Sequence, residues 1–341
     1  MGRHTTIFLW FFLLPAIVSG VVHAAEASPG VITLKHTAMG TVFTFSVRPP
    51  SPTMYSEEVN HLVEPACEAI DALEKKISTW IPESQISKVN QSASDRPVKV
   101  SADVISLLQT CQRFYKDSGG AFDVTVGPLL DLWGFYRKQG HLPKEEEMKE
   151  ALEKVGFDKV DVNEAEETVR FARAGMRIDF GGIGKGLALD RAVEMLREQG
   201  IKNVLVDGGT STVFALGSGP GESGWKVRIG SPYNKDEYLE EVEIRNESLS
   251  TSSGSESYVE LDGKKYGHIF DPRTGWPVEG MLSTTAIAPT GMESDALSTA
   301  FFVMGMENIR KYCQAHPQVR AIVVVSEGGV LKPVRINFPA K

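Results

Sequence analysis

Apolar residues with a period of two occur in this chain as runs that follow one another directly, and that grouping constrains the fold more than any single motif. Val31 to Val47 alternates as a strand pair bent at Ala38-Met39-Gly40, and further strands are expected at Trp225 to Ile229, Glu240 to Ile244, Tyr258 to Leu261 and Thr284 to Ala288. Val204-Leu205-Val206 reads as a buried strand, and Ala321 to Val325 with Val330 to Ile336 as a hairpin turned at Gly328-Gly329. Strands in neighbouring runs predict an α+β fold; strict alternation with helices would have predicted a doubly wound parallel sheet.

Helical spacing appears between these runs. Val59, Leu62, Val63, Ala66, Ile70, Leu73 and Ile77 share one face, as do Val104, Leu107, Leu108, Cys111 and Phe114 after a Ser101 cap, ending at Gly119-Gly120. Lys185 to Gln199 is a third helix stopped by Gly200, and Asp295 to Met304 and Glu307 to Ala315 are two more. No repeat of solenoid period is present.

Residues 1–24 read as an address. Arg3 and His4 precede a short apolar run from Ile7 to Val18, and Val22-His23-Ala24 offers small residues for cleavage, so the mature chain is expected to begin near Ala25. The run contains Pro15 and is shorter than the roughly 20 residues of a spanning helix. An exported, periplasmic protein without a stable membrane span is expected, and the first cysteine, Cys67, lies too far in for a lipid anchor. Removing residues 1–24 takes away Arg3 and no acid, so the formal charge moves from -8 to -9 and disfavours nucleic acid as a partner. Cys67, Cys111 and Cys313 are too scattered for a zinc site and fall in helical segments as small core residues.

Four segments carry groups suited to chemistry. Arg177 to Gly186 takes a strand through a glycine-rich turn into a helix, which serves equally as a phosphate cradle, with Lys185 as a point charge, or as a plain tight turn. It matches neither common nucleotide fingerprint. Asp207-Gly208-Gly209-Thr210-Ser211-Thr212 places a carboxylate and small donors after a buried strand, first as a hydrogen-bonded turn and second as a ligand site. Asp295 and Thr299 are four apart on one helix face and would suit a hard cation such as Mg²⁺, with a carbonyl near Gly182; a dipole-opposing Asp and a back-bonded Thr is the alternative. His268 precedes the turn Asp271 to Gly275, where it would serve as a general base or simply as a bonded turn residue.

Taken in order, these segments resemble the ApbE-type FAD:protein FMN transferase family. The resemblance rests on Ala38 to Thr41, Ser78-Thr79-Trp80 with Ser84 to Asn90, Gly120 to Leu129 with Leu132 to Phe135, Asp179 to Gly186, Asp207 to Gly209, Ser250 to Gly254, His268 to Gly275 and Asp295 to Ala300. It implies one domain over residues 25–341, a T-fold-related α+β architecture of mixed, largely antiparallel sheets packed with helices, and FAD in a central cleft. The implied FAD contacts are Met39, Ser78, Thr79, Trp80, Ala121, Phe122, Asp123, Lys185, Asp207, Gly208, Ser253, Gly254 and His268. Gly182, Asp295 and Thr299 would hold Mg²⁺, or Mn²⁺ in its place. His268 would deprotonate a Thr or Ser hydroxyl of an exported acceptor flavoprotein, such as a redox-pump subunit, with release of AMP.

Two other readings share these residues. Water in place of the hydroxyl gives a Mg²⁺-dependent FAD pyrophosphatase, and loss of chemistry gives an exported FAD-binding protein, which would need neither a base nor a metal. Trp133, Phe135 and Trp276 are expected either against the isoalloxazine or in packing.

Overall fold

The computed structural model describes residues 22–24, 30–136, 141–209, 211–234, 236–254 and 257–339. Residues 1–21, most of the expected signal peptide, and the expected start at Ala25 lie outside the described residues, as does Thr210. In chain order the main elements are β1 (Ile32–Ala38), β2 (Thr41–Val47), α1 (Ser56–Ile77), α2 (Gln85–Ser92), α3 (Ala102–Asp117), α4 (Gly127–Leu132), α5 (Glu145–Leu152), α6 (Gly184–Glu198), β3 (Val204–Asp207), β4 (Thr212–Leu216), β5 (Glu247–Ser253), β6 (Ser283–Ala288), α7 (Gly291–Ala315), β7 (Arg320–Glu327) and β8 (Val330–Ile336).

The strands β1 to β8 form one sheet in which spatial order equals sequence order, and each neighbouring pair is antiparallel. The main sheet is wholly antiparallel, with tight reversals at β1–β2, β3–β4 and β7–β8 and long connections between the other neighbours, as antiparallel pairing allows. The β1–β2 reversal is made by Met39 and Gly40, both at positive φ (52° and 71°), the pair of conformations a two-residue hairpin turn matched to strand twist needs.

Strand parity divides the core. Val204, Val206, Phe214, Leu216, Ala286, Ala288, Ala321 and Val323 face the layer built by α1, α6 and α7. Leu205, Val213, Ala215, Leu249, Ile287 and Ile322 face a small antiparallel sheet of Trp225–Gly230, Tyr238–Ile244 and Val22–Ala24. Both faces of the central strands are therefore covered, which is why Val204 to Val206 is apolar without alternation. The long insertion between β2 and β3 carries α1 to α6 and a small sheet of Val98–Lys99, Val160–Asn163 and Thr168–Phe171.

The two expected C-terminal helices are α7, broken where Gly305 leaves helical geometry (φ 76°, ψ 165°). Its start at Gly291 moves Asp295 into the second turn, away from a simple dipole-facing position. Among the described residues all three cysteines are free, with Cys111 and Cys313 buried.

Trp133 belongs to packing. It is fully buried between α4, α5 and Phe270, beside Tyr266 and Trp276, and its indole N–H donates to the Gly275 carbonyl at 3.0 Å. Trp133→Ala is expected to cost about 3–5 kcal/mol of unfolding free energy, measured by urea denaturation, because a large cavity and an orphaned carbonyl remain.

Candidate active site

A cleft of about 360 Å³ opens between the α4 segment, the glycine turn before α6, the end of β5, the residues around His268 and the second turn of α7. Its lining carries two kinds of residue. Ala121, Phe122, Val126, Leu130, Phe135, Ile269 and Phe270 supply apolar surface. Gly181, Gly182, Lys185, Ser211, Thr251, Ser252, His268, Asp295 and Thr299 supply donors and acceptors, with Phe122 beside Gly182. Such a mostly apolar recess with a few converging polar groups is the usual build of a site for a small molecule.

The glycine turn is held by Asp179, which the sequence reading left inside the motif with no role of its own. Its carboxylate accepts the Gly181 N–H and the Tyr136 hydroxyl, each at 2.8 Å. The Tyr136 ring lies under the Arg177 guanidinium at 4.1 Å and meets the edge of Trp80 at 5.8 Å. Trp80, 71% exposed, stands at the cleft mouth.

Beside the cleft β5 and α7 meet through hydroxyls. Ser248, Ser250 and Ser252, spaced by two along the strand, face Ser294, Asp295, Ser298 and Thr299 on the helix. Asp295 is 4% exposed; its Oδ2 accepts the Gly186 N–H at 2.9 Å, and its Oδ1 accepts the Thr212 hydroxyl at 3.3 Å and the Ser250 hydroxyl at 3.4 Å. Burial pushes this carboxyl up, opposed first by the Lys185 charge and then by the Gly186 N–H.

Gly182 comes close to Thr299: a methyl group on it would stand 3.2 Å from the Thr299 hydroxyl. Gly182, Asp295, Thr299 and Ser252 thus offer a carboxylate, hydroxyls and main chain, all hard oxygen donors. No group of three or more His, Cys, Asp or Glu able to hold a metal occurs among the described residues. One carboxylate with hydroxyl and main-chain oxygens is a donor set of the kind a hard cation takes when water and phosphate complete its shell.

His268 lines the cleft with Lys185 as its charged neighbour. Both its backbone N–H and its ring Nδ1 bond the Ser257 carbonyl, each at 3.1 Å. A carbonyl only accepts, so Nδ1 carries the proton and Nε2 of the neutral ring keeps a free lone pair. Burial, with a smaller contribution from Lys185, holds the imidazole below its ordinary value, while the Ser257 bond works the other way. The neutral ring is favoured.

Of the residues expected at the site, Trp80, Ala121, Phe122, Asp123, Gly182, Lys185, His268, Asp295 and Thr299 line one cleft. The buried Asp123 carboxyl, lifted to about 6 by burial, accepts the Thr125 N–H at 2.8 Å and hydroxyl at 2.6 Å. The others stand outside this lining. Met39 packs beside the core from the β1–β2 turn. Ser78 ends α1, where its carbonyl accepts the Ser84 hydroxyl at 2.6 Å, and Thr79 follows it in the bend before Trp80. Asp207 accepts the Gly209 N–H at 2.8 Å, with its carboxyl raised to about 7 by burial, and Gly208 packs against Leu189. Ser253 turns its hydroxyl to the Leu282 carbonyl at 3.2 Å, and Gly254 lies against Phe302. Phe135, one of the three aromatics weighed above, does line the cleft, while Trp133 and Trp276 do not.

Residues 39–323 match the ApbE family. The FAD:protein FMN transferase of Haemophilus influenzae is 29% identical over 330 residues, covering 92% of this chain and 94% of its own. That of Escherichia coli K12 is 31% identical over 295 residues, covering 85% of this chain and 82% of its own. Among solved structures, the ApbE protein of Thermotoga maritima matches with a TM-score of 0.79 at 31% identity, over 89% of this chain and 96% of that one. The flavinyl transferase ApbE of Pseudomonas stutzeri matches with a TM-score of 0.77 at 27% identity, over 90% and 94%. Fold and sequence agree, and the chain belongs to the ApbE family.

Proposed function

We propose that this protein is an FAD:protein FMN transferase whose general base is His268, and that it moves FMN from FAD to a Thr or Ser hydroxyl of an acceptor protein. The observation that carries the reading is the histidine held by the Ser257 carbonyl with Nε2 free, in a cleft that it lines together with Lys185, Asp295 and Thr299. The apolar lining suits the isoalloxazine, and the polar side chains suit the pyrophosphate.

His268 Nε2 takes the proton from the acceptor hydroxyl as its oxygen forms a bond to the FMN-side phosphorus. The bond from that phosphorus to the bridging oxygen breaks, and AMP leaves with that oxygen. Lys185 lies where its ammonium offsets charge on the pyrophosphate, and the glycines at 181 and 182 let a phosphate approach the main chain. Gly182, Asp295 and Thr299 would hold a Mg²⁺ or Mn²⁺ ion. When bound, such an ion supplies positive charge to the pyrophosphate oxygens, which phosphoryl transfer needs more than any covalent help.

Export and an exported acceptor flavoprotein complete the proposal, on the strength of residues 1–24. No helix among the described residues is long and apolar enough to cross a membrane. Cleavage after Ala24 would remove the strand Val22–Ala24 from the edge of Trp225–Gly230.

The test is purified mature protein with FAD and Mg²⁺, with and without an acceptor fragment bearing a threonine, read as flavin fluorescence in a denaturing gel. Mg²⁺-dependent fluorescence on the fragment is expected. Cleavage of FAD to free FMN and AMP with an unlabelled fragment would instead establish the pyrophosphatase, and intact FAD in both cases a binding protein.

A pH dependence follows from the base. Burial holds His268 below the ordinary imidazole value, so the neutral form that accepts a proton is present at neutral pH and is lost as pH falls through the lowered value. kcat/KM is expected to show an acid limb with its midpoint below the ordinary imidazole range. Residual activity of His268→Ala should lack that limb, which separates it from Asp207, whose carboxyl stands at about 7.

A further inference from the structure

The N-termini of α6 and α7 cross at two glycines. A methyl on Gly186 would run into the Gly291 carbonyl, and a methyl on Gly291 into the Gly186 carbonyl. Four residues after each glycine stands an aspartate, Asp190 on α6 and Asp295 on α7. The two carboxylates are exchanged between the helices. Asp295 Oδ2 accepts the Gly186 N–H at 2.9 Å, while Asp190 Oδ1 and Oδ2 accept the N–H groups of Gly291 and Met292 at 2.6 and 2.9 Å.

The first amides of a helix have no partner within it, and each carboxylate satisfies such orphans on the other helix while facing the positive end of its dipole. Asp190 does not line the cleft. Its two bonds to adjacent amides fix the first turn of α7 both along the axis and in rotation, and Asp295 and Thr299 follow one and two turns later on the same face. The glycine contact sets how closely the helices approach. The carboxylate bracket sets their register.

We propose that Asp190 is a positioning residue for the cation site: by bracketing the start of α7 it places Asp295 and Thr299 against Gly182 and Lys185. This rests on the metal reading of Asp295 and Thr299 given above. Asp190→Asn keeps one acceptor oxygen and should lose one of the two bonds, Asp190→Ala loses both, and Gly291→Ala leaves Asp190 intact but forces the helices apart.

The experiment is Mn²⁺ binding by electron paramagnetic resonance to the mature protein and these variants, without FAD, beside thermal unfolding of each. Wild type is expected to bind, Asp190→Asn to bind about 3-fold more weakly, and Asp190→Ala and Gly291→Ala at least 10-fold more weakly at temperatures where each is folded. A purely structural role lowers the unfolding temperature alone. Folded Asp190→Asn and Asp190→Ala with Mn²⁺ affinity within 2-fold of wild type would overturn the positioning role and leave the metal reading standing. Absence of Mn²⁺ binding by wild type, both without FAD and with FAD present to supply its phosphates, would overturn both.

Discussion

His268→Ala is expected to bind FAD as wild type does and to lose transfer of FMN by roughly 10²–10⁴-fold, the range over which a positioned general base contributes. Among the described residues the imidazole ring bonds the Ser257 carbonyl, and the backbone N–H of residue 268 keeps its own bond to that carbonyl when the ring is removed. The loss should therefore fall on turnover, leaving the unfolding temperature and FAD affinity near wild type. Single-turnover transfer with bound FAD isolates the step. A His268→Ala enzyme within a few-fold of wild type would remove the base from the mechanism.

Asp295→Asn is expected to lower kcat/KM at saturating Mg²⁺ on the order of 100-fold, about 2.7 kcal/mol. Asparagine keeps the volume and one acceptor for the Gly186 N–H, so the change is chiefly loss of a negative charge from the cleft that Gly182, Thr299 and Ser252 also line. Stability should move the other way. Burial raises the Asp295 carboxyl in the folded state, so its contribution is most favourable below the unfolded value and is lost as pH rises. Asp295→Asn should thus unfold at the same or a higher temperature at neutral pH without metal, and with a flatter dependence on pH. Lower stability together with unchanged Mg²⁺ activation would assign Asp295 to structure alone.

How far the sequence reveals this molecule depends on how local each feature is. The β1–β2 hairpin, α1, α3, α6, β3 and the last hairpin follow from period and from turn residues such as Met39-Gly40 and Gly328-Gly329, all within a few positions of one another. β4 and β5 escaped, and β5 shows why. In Glu247–Ser253 every buried position except Leu249 is a serine or threonine, because the face toward α7 meets its hydroxyls and not an apolar layer, so no hydrophobic alternation marks the strand. Spacing of Ser248, Ser250 and Ser252 by two, matched with Ser294 and Ser298 spaced by four, is the signal that would have found the seam.

The site divides in the same way. His268, Lys185, Asp295 and Thr299 are recognisable as motif residues and do line the cleft, but Asp179, Tyr136, Ser252 and Asp190 act through partners far away in sequence. Asp190 lies inside a helix between Leu189 and Arg191 and takes its meaning from amides at residues 291 and 292. Ser253 and Gly254 adjoin the cleft in sequence, yet Ser253 turns to the Leu282 carbonyl and Gly254 lies against Phe302.

The central claim is that the hydroxyl of a protein, and not water, takes the FMN half of FAD. Its most direct test is the ratio of acceptor-bound FMN, quantified by mass spectrometry, to AMP released in the same Mg²⁺-containing reaction. Equal amounts of the two, with free FMN near background and the acceptor threonine required, are the expected result. AMP matched by free FMN with the acceptor unmodified would contradict it.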